Sequence, residues 1–392
     1  MPSSGGLRRP GFATQRSFFS YGVAASYIGK GRPYDPSKHV FNFSPHCHQQ
    51  QQQQQQLQQD GRPGSRPESG QDAFFVSNVG DSGAVALGIA DGVGGWMDSG
   101  VDPADFSHGL CEYMATAANT LRWPSLAAGK AEEPIPARQL IQLGYDAVCR
   151  DRSIPAGGST AVVGVLTPAG LLEVANLGDS GFIHLRLNAV HAVSDPQTHA
   201  FNTPFQLSVI PPSLLARMAA FGGAQLSDEP RDAEVSRHDL QHGDVLVFAS
   251  DGVWDNLFNQ DVLHLVSSAM QATGAWYSAD DAGLRVAPAS DLRRLMYPQS
   301  AGAERLSSSK SGGGVVTLQS LIATHITAAA KAASINDKRD GPFSKEVRRY
   351  YPQESWHGGK VDDICVVVAI VSEDTATVNG QPAPELPLKS RL

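Results

Sequence analysis

Five aspartates stand at or beside the ends of apolar runs: Asp72, Asp91, Asp179, Asp251 and Asp362. A single Asp-Gly pair is ordinary turn chemistry, but the same acid recurring at successive run ends is a pattern. If the chain brought these carboxylates to one partly buried cleft, they would repel one another unless cations lay between them. Hard divalent ions, magnesium or manganese, take oxygen ligands and keep several waters. Two such ions about 3.5–4 Å apart lower the pKa of a shared water and aim it for in-line attack on phosphorus. Zinc is disfavoured, because no Cys or His falls at a ligand spacing. His46-Cys47-His48 borders a glutamine tract and reads as part of it rather than as a metal site. The residues alone therefore imply a binuclear hard-metal hydrolase.

Those aspartates need elements to carry them. Residues 84–90, 159–167, 171–175, 182–185, 245–250 and 363–371 are short, nearly continuous apolar runs bounded by Gly and Asp. Such runs predict strands covered on both faces. Between them the spacing predicts helices. One starts at Asp102-Pro103 with Phe106, Leu110 and Met114 on one face, and another covers 139–150 with Leu140, Leu143 and Ala147 aligned. A third is capped by Asn259 with Val262, Leu265 and Val266 inward, and a fourth spans 316–334 with Leu318, Leu321 and Ile322. Strands and helices do not alternate regularly, which predicts an α+β fold, a β-sandwich with helices outside.

The chain has 392 residues, 41% hydrophobic and 18% charged, and 31 basic against 39 acidic side chains give a net charge of −8. That balance supplies no basic excess for a nucleic-acid backbone. Four dispersed cysteines, Cys47, Cys111, Cys149 and Cys365, argue against a disulfide framework and for a reducing compartment. No run approaches the length of a transmembrane span. Residues 1–40 hold six basic side chains (Arg8, Arg9, Arg16, Lys30, Arg32, Lys38) and one acid, Asp35. With Phe18, Phe19, Tyr21 and Tyr27 spaced as on a short amphipathic helix, they are expected to form a mitochondrial presequence-like segment rather than a plain basic tail. Residues 41–69, with the glutamine tract and a Pro/Gly/Ser/Arg stretch, are expected to be a disordered linker. A catalytic domain over 70–372 is expected to carry a Ser/Gly-rich surface insertion at about 273–314, followed by a flexible tail at 373–392.

The wording of the motifs adds to this. Gly70-Gln71-Asp72-Ala73, Ala90-Asp91-Gly92-Val93-Gly94-Gly95-Trp96, Gly158-Ser159-Thr160-Ala161, Gly178-Asp179-Ser180, Ala249-Ser250-Asp251-Gly252 and Val361-Asp362-Asp363-Ile364 occur in that order. The series resembles the metal-dependent serine/threonine protein phosphatases of type 2C, over about residues 70–372. DGVGGW, residues 201–207 (FNTPFQL) and 357–363 (HGGKVDD) resemble its mitochondrial branch more narrowly. The resemblance implies two stacked antiparallel β-sheets flanked by α-helices. It implies two magnesium or manganese ions per subunit and a third, looser one. It also implies hydrolysis of phosphoserine and phosphothreonine on mitochondrial matrix proteins, including enzymes of coenzyme Q biosynthesis, by a monomer.

Carried over by position, Asp91 would bridge both ions, the Gly92 carbonyl would bind the second, and Asp251 and Asp362 would hold the first. Asp72 would hydrogen-bond water on the metals and act with Asp91 and Asp251 in catalysis, and Asp179 would help bind the looser ion. Gly158-Ser159-Thr160 reads as a packed turn entering a core strand. Three positions depart from the family pattern. Gln71 stands where an acid often helps hold the second ion, and a neutral amide oxygen would bind more weakly. Val93 replaces a His proposed as general acid, leaving protonation of the leaving group to metal-bound water or another side chain; His199 is a conceivable donor but reads first as an ordinary loop histidine. The family's phosphate-binding Arg has no clean counterpart, Arg66 being out of register and Pro67 in its place. Gln71 and Val93 together admit an alternative, a catalytically weak phosphatase-like binding module.

Overall fold

The computed structural model describes residues 16–43, 66–120, 135–212, 214–216, 227–279, 283–298 and 316–376. Two antiparallel sheets face each other. The six-stranded sheet runs in the order Val40–Asn42, Arg16–Ile28, Ile364–Ala376, Val245–Ala249, Gly181–Arg186, Ala189–Val193. The five-stranded sheet runs Glu234–Asp239, Leu171–Leu177, Ala161–Leu166, Val85–Asp91, Asp72–Asn78. The expected α+β sandwich is the observed one.

The strand Ile364–Ala376 shows why the sequence reads as unbroken apolar runs. Successive side chains of a strand point to opposite faces. Ile364, Val366, Val368 and Ile370 pack under helices Asn259–Ala272 and Leu318–Ser334, while Cys365, Val367, Ala369 and Val371 fill the space between the sheets. Both faces are covered, so both parities must be apolar. Helices Pro103–Thr120 and Ala137–Val148 cover the outer face of the five-stranded sheet in the same way.

Helix starts follow local chemistry. Ala104 N–H donates to Asp102 Oδ1 at 3.0 Å, with Pro103 at the first helical position. Details of the other helices differ from expectation. Helix Ala137–Val148 buries Leu140, Ile141, Gly144 and Val148, leaving Leu143 and Ala147 half-buried. Asn259 is the first residue of its helix and Phe258 the cap, its N–H donating to Asp261 Oδ2. That helix buries Leu263 and leaves Leu265 half-buried, and Leu321 is half-buried in the next one, which Thr317 caps. The run at 159–167 is broken in two at Thr160.

The N-terminal expectation is corrected. Residues 16–28 form no amphipathic helix; they are a 13-residue strand paired along its whole length with Ile364–Ala376. Tyr21, Val23, Ala24, Ala25 and Ile28 are buried, and a partner strand pairs the backbone along one side, with a second at Ala24–Ser26 on the other. The fold therefore begins by Arg16, not at 70, and its last strand runs to Ala376, beyond 372. Within the expected insertion, Trp276–Ala279 and Gly283–Val286 form a hairpin followed by helix Ala289–Met296. Trp276, Leu292 and Met296 are fully buried, so this part is core. Residues 1–15, Cys47 and the glutamine tract, the Ser/Gly run at 307–314 and the tail from 377 lie outside the described residues.

Candidate metal centre

Topology sends the aspartates to one end of the sandwich. Asp72 opens its strand directly opposite Asp91, which closes the neighbouring one. Beside Asp91 lies the start of Ala161–Leu166, paired there with Leu177, the residue from which the chain passes through Gly178 to Asp179. On the facing sheet, Ala249 pairs with Val366 and with Gly181, placing Asp251, Asp362 and the Asp179 segment at that same end. One carboxylate oxygen each from Asp91, Asp179 and Asp251 lies within 4.8 Å of the others.

The supports are local. Asp91 N–H donates to Thr160 Oγ1 at 3.2 Å, and its carbonyl accepts from Ser159 Oγ and Thr160 N–H at 2.8 and 2.9 Å. Thr160 Oγ1 also contacts Ser180 Oγ at 2.8 Å, tying the Asp91 turn to the Asp179 turn. Gly158-Ser159-Thr160 is thus a buried fastening, as expected. Gly92 must lack a side chain, since a Cβ there would sit 2.8 Å from the Pro103 carbonyl and 2.9 Å from that of Gln71. Asp72 is buried and accepts a 2.6 Å hydrogen bond from Ser250 Oγ, which in turn accepts from Cys365 N–H, so one serine joins the two sheets beneath the site. Trp96 Nε1 donates to Gln206 Oε1 at 3.0 Å, bringing DGVGGW and FNTPFQL together.

Electrostatics sets the character of the group. Burial, and then the charges of neighbouring aspartates, push Asp72 and Asp91 well above the usual carboxylate range. Asp179 is raised by burial and then by Asp251 and Asp255. Asp255 is pushed up to about 7 by burial and by Asp251. A half-buried oxygen-only group of mutually repelling carboxylates fits a hard divalent ion.

Several sequence-derived positions fall elsewhere. Asp362 lies close enough to raise Asp72 and Asp91, yet its oxygens pair with Lys360 at 3.1 Å and Lys30 at 3.5 Å. It is not one of the three clustered carboxylates. Gln71 turns its amide nitrogen to Met97 Sδ at 3.1 Å, and its backbone N–H donates to Asp363 Oδ2. Arg66 is paired with Asp105 at 2.6 Å. His199, on the short strand Thr198–Ala200, stacks on Phe205 and has its Nε2 3.0 Å from Asp228 Oδ2, outside the three-carboxylate group. Val93 is half-buried and offers no proton.

Four residues had no role in the sequence reading: Lys360 and Ser250, which stand within the quoted motifs, and Asp255 and Asn256. Lys360 Nζ lies 2.6 Å from Asp251 Oδ2, 2.6 Å from Asp255 Oδ2 and 3.1 Å from Asp362 Oδ2. Burial alone would lower its pKa, but the three carboxylates outweigh that and hold it well above the ordinary value. A lysine two positions before Asp362 and an acid four after Asp251 on one helical turn were the available signals. Beside Asp179 opens a cavity of about 300 Å³ walled by Phe182, Pro196, Trp254, Leu257 and Phe258.

Comparison with known proteins identifies the family. Residues 65–279 match the model of the protein phosphatase 2C family. A zebrafish (Danio rerio) protein phosphatase PTC7 homolog is 39% identical over 192 residues, 48% of this chain and 58% of the relative. Protein phosphatase 2C homolog 7, mitochondrial, of Saccharomyces cerevisiae is 34% identical over 199 residues, 50% and 56% of the two chains. The Schizosaccharomyces pombe 5-azacytidine resistance protein azr1 is 31% identical over 232 residues, 58% and 71%. The chain thus spans a little over half the length of the first two of these relatives. In fold it is similar to the photosystem II phosphatase PBCP, with TM-score 0.53 and 22% identity over 90% of this chain and 98% of that one. With the family model covering more than half its length, the chain belongs to the protein phosphatase 2C family.

Proposed function

We propose that this chain is a metal-dependent phosphatase of phosphoserine and phosphothreonine in proteins. The observation that carries the reading is the convergence of Asp91, Asp179 and Asp251 within 4.8 Å at the edge where both sheets end. When bound, magnesium or manganese supplies a Lewis acid that makes water a nucleophile at neutral pH and offsets charge on the phosphate. Asp91, Asp179 and Asp251 would hold it, with Asp362 and the Gly92 carbonyl close by; we propose two ions and a third, looser one toward Asp179. Asp72, with one oxygen fixed by Ser250, orients the attacking water from across the strand pair. The cavity beside Asp179 takes a side chain of the phosphoprotein next to the phosphorylated residue.

The binding-module alternative is not favoured. Gln71 and Val93 remove one charge and one proton donor, yet the carboxylate group is assembled without them. Hydrolysis of p-nitrophenyl phosphate and of a phosphothreonine peptide with manganese tests the proposal. Asp91→Asn and Asp251→Asn are each expected to lower kcat by at least about a hundredfold, because the reacting groups lose their fixed positions. Absence of turnover in the wild-type chain at millimolar manganese, or full turnover in Asp91→Asn, would refute it.

We also propose a mitochondrial location, in the matrix. The name of the yeast relative supports it, as do residues 1–15, which hold Arg8 and Arg9 and no acid. Since Arg16 already belongs to a strand, any targeting signal is assigned to residues before it. Substrates among enzymes of coenzyme Q biosynthesis, and action as a monomer, are proposals carried by the family resemblance alone.

A further inference from the structure

Lys360 is placed with unusual thoroughness. Its N–H donates to Asn256 Oδ1 and its carbonyl accepts from Asn256 Nδ2, both at 2.9 Å. Asn256 itself is buried and also donates to the Gly252 carbonyl at 2.9 Å. The backbone of Lys360 is therefore locked to the turn that carries Asp251. Its side chain, 15% exposed, donates hydrogen bonds to Asp251 and Asp255, both at 2.6 Å, and forms an ion pair with Asp362 at 3.1 Å. Asp251 is at once a member of this triad and of the Asp91–Asp179–Asp251 group.

We propose that Lys360 is a built-in cation of the metal centre, competing with the divalent ion for Asp251 and Asp362 and so weakening metal binding. The proposal rests on reading the carboxylate group as a metal site. The ammonium relieves the repulsion among the acids in the metal-free chain, which keeps the pocket formed. A divalent ion arriving beside Asp251 meets a positive charge within hydrogen-bonding distance of the same carboxylate, and that repulsion lowers affinity by at least about tenfold even with protein screening. Loading therefore loosens the lysine from Asp251, while Asp255, outside the three-carboxylate group, remains as its anchor.

The test measures manganese binding by electron paramagnetic resonance, with no turnover involved. Lys360→Met is expected to bind manganese at least about tenfold more tightly than wild type, while its metal-free melting temperature falls. Lys360→Arg, which keeps the charge, should retain wild-type affinity. A merely structural clip would move both readouts of Lys360→Met downward; unchanged or weaker binding in that variant overturns the proposal. A measurement on the unaltered chain is independent of the variant's folding. Acetylation of Lys360 by acetic anhydride, read by mass spectrometry, should rise severalfold on manganese saturation, and equal protection with and without manganese also overturns it. Wild-type protein that binds no manganese would remove the metal-site reading itself, and the proposal with it.

Discussion

At the scale of single residues, the acids fix a pH dependence whose sign can be worked out. In the metal-free chain Asp72, Asp91 and Asp179 are raised by burial and mutual charge, and Asp255 is near 7. The folded state thus keeps protons that the unfolded chain releases near pH 4. A state that binds more protons loses stability as pH rises, here from about 4 to above 7. Metal-free protein should melt at lower temperature at pH 8 than at pH 5, and apparent manganese affinity should increase over the same interval, because ligands must be deprotonated. Calorimetry at several pH values checks both; a metal-free melting temperature that climbs from pH 5 to 8 would contradict the assigned shifts. Asp91, Asp179 and Asp251 were legible in the sequence because each ends or follows an apolar run. Lys360 and Asp255 were not, because a lysine's partners depend on which turns meet in space, and these two are 105 positions apart.

At the scale of elements, the strand Arg16–Ile28 was the hardest to read. Its small residues Gly22, Ala24, Ala25 and Ser26 carry little intrinsic strand preference, and its aromatic spacing also suits a helix. Thirteen paired positions on one side and three on the other decide the matter through tertiary contacts. The strands at 85–91, 245–249 and 364–376 were legible because burial on both faces leaves a continuous apolar signature. A chain beginning at residue 70 lacks Arg16–Ile28 and leaves the edge of Ile364–Ala376 unpaired. It is expected to be unfolded or aggregated, whereas a chain beginning at 16 should fold. Circular dichroism and size-exclusion chromatography of the two distinguish the outcomes. A folded, monomeric protein from residue 70 onward would show that the first strand is dispensable.

At the scale of the whole molecule, the two sheets are held together by an interior that includes Phe248, fully buried and stacked on Phe182 with ring centroids 5.6 Å apart. Phe248→Ala is expected to cost about 3–5 kcal/mol in urea unfolding, from lost transfer energy and a cavity between sheets. A cost below about 1 kcal/mol would mean the sheets close over the gap. Such a loss would also weaken metal binding indirectly, since the aspartates stand at the ends of strands of both sheets and in the turns beside them. The sandwich as a class was legible in the sequence, while the order of strands within each sheet was not, because register is a property of partners far apart along the chain.

The pairing of Arg16–Ile28 with Ile364–Ala376 also has a consequence in time. A polypeptide emerging residue by residue, from a ribosome or through a membrane pore, delivers the strand Arg16–Ile28 long before the strand Ile364–Ala376. The central sheet can close only when the second arrives, and Asp362 and Lys360 travel immediately ahead of it. The centre therefore cannot be completed until the strand Ile364–Ala376 has arrived, and a nascent chain cut short before residue 360 carries the clustered acids but neither the lysine nor the strand that gathers them.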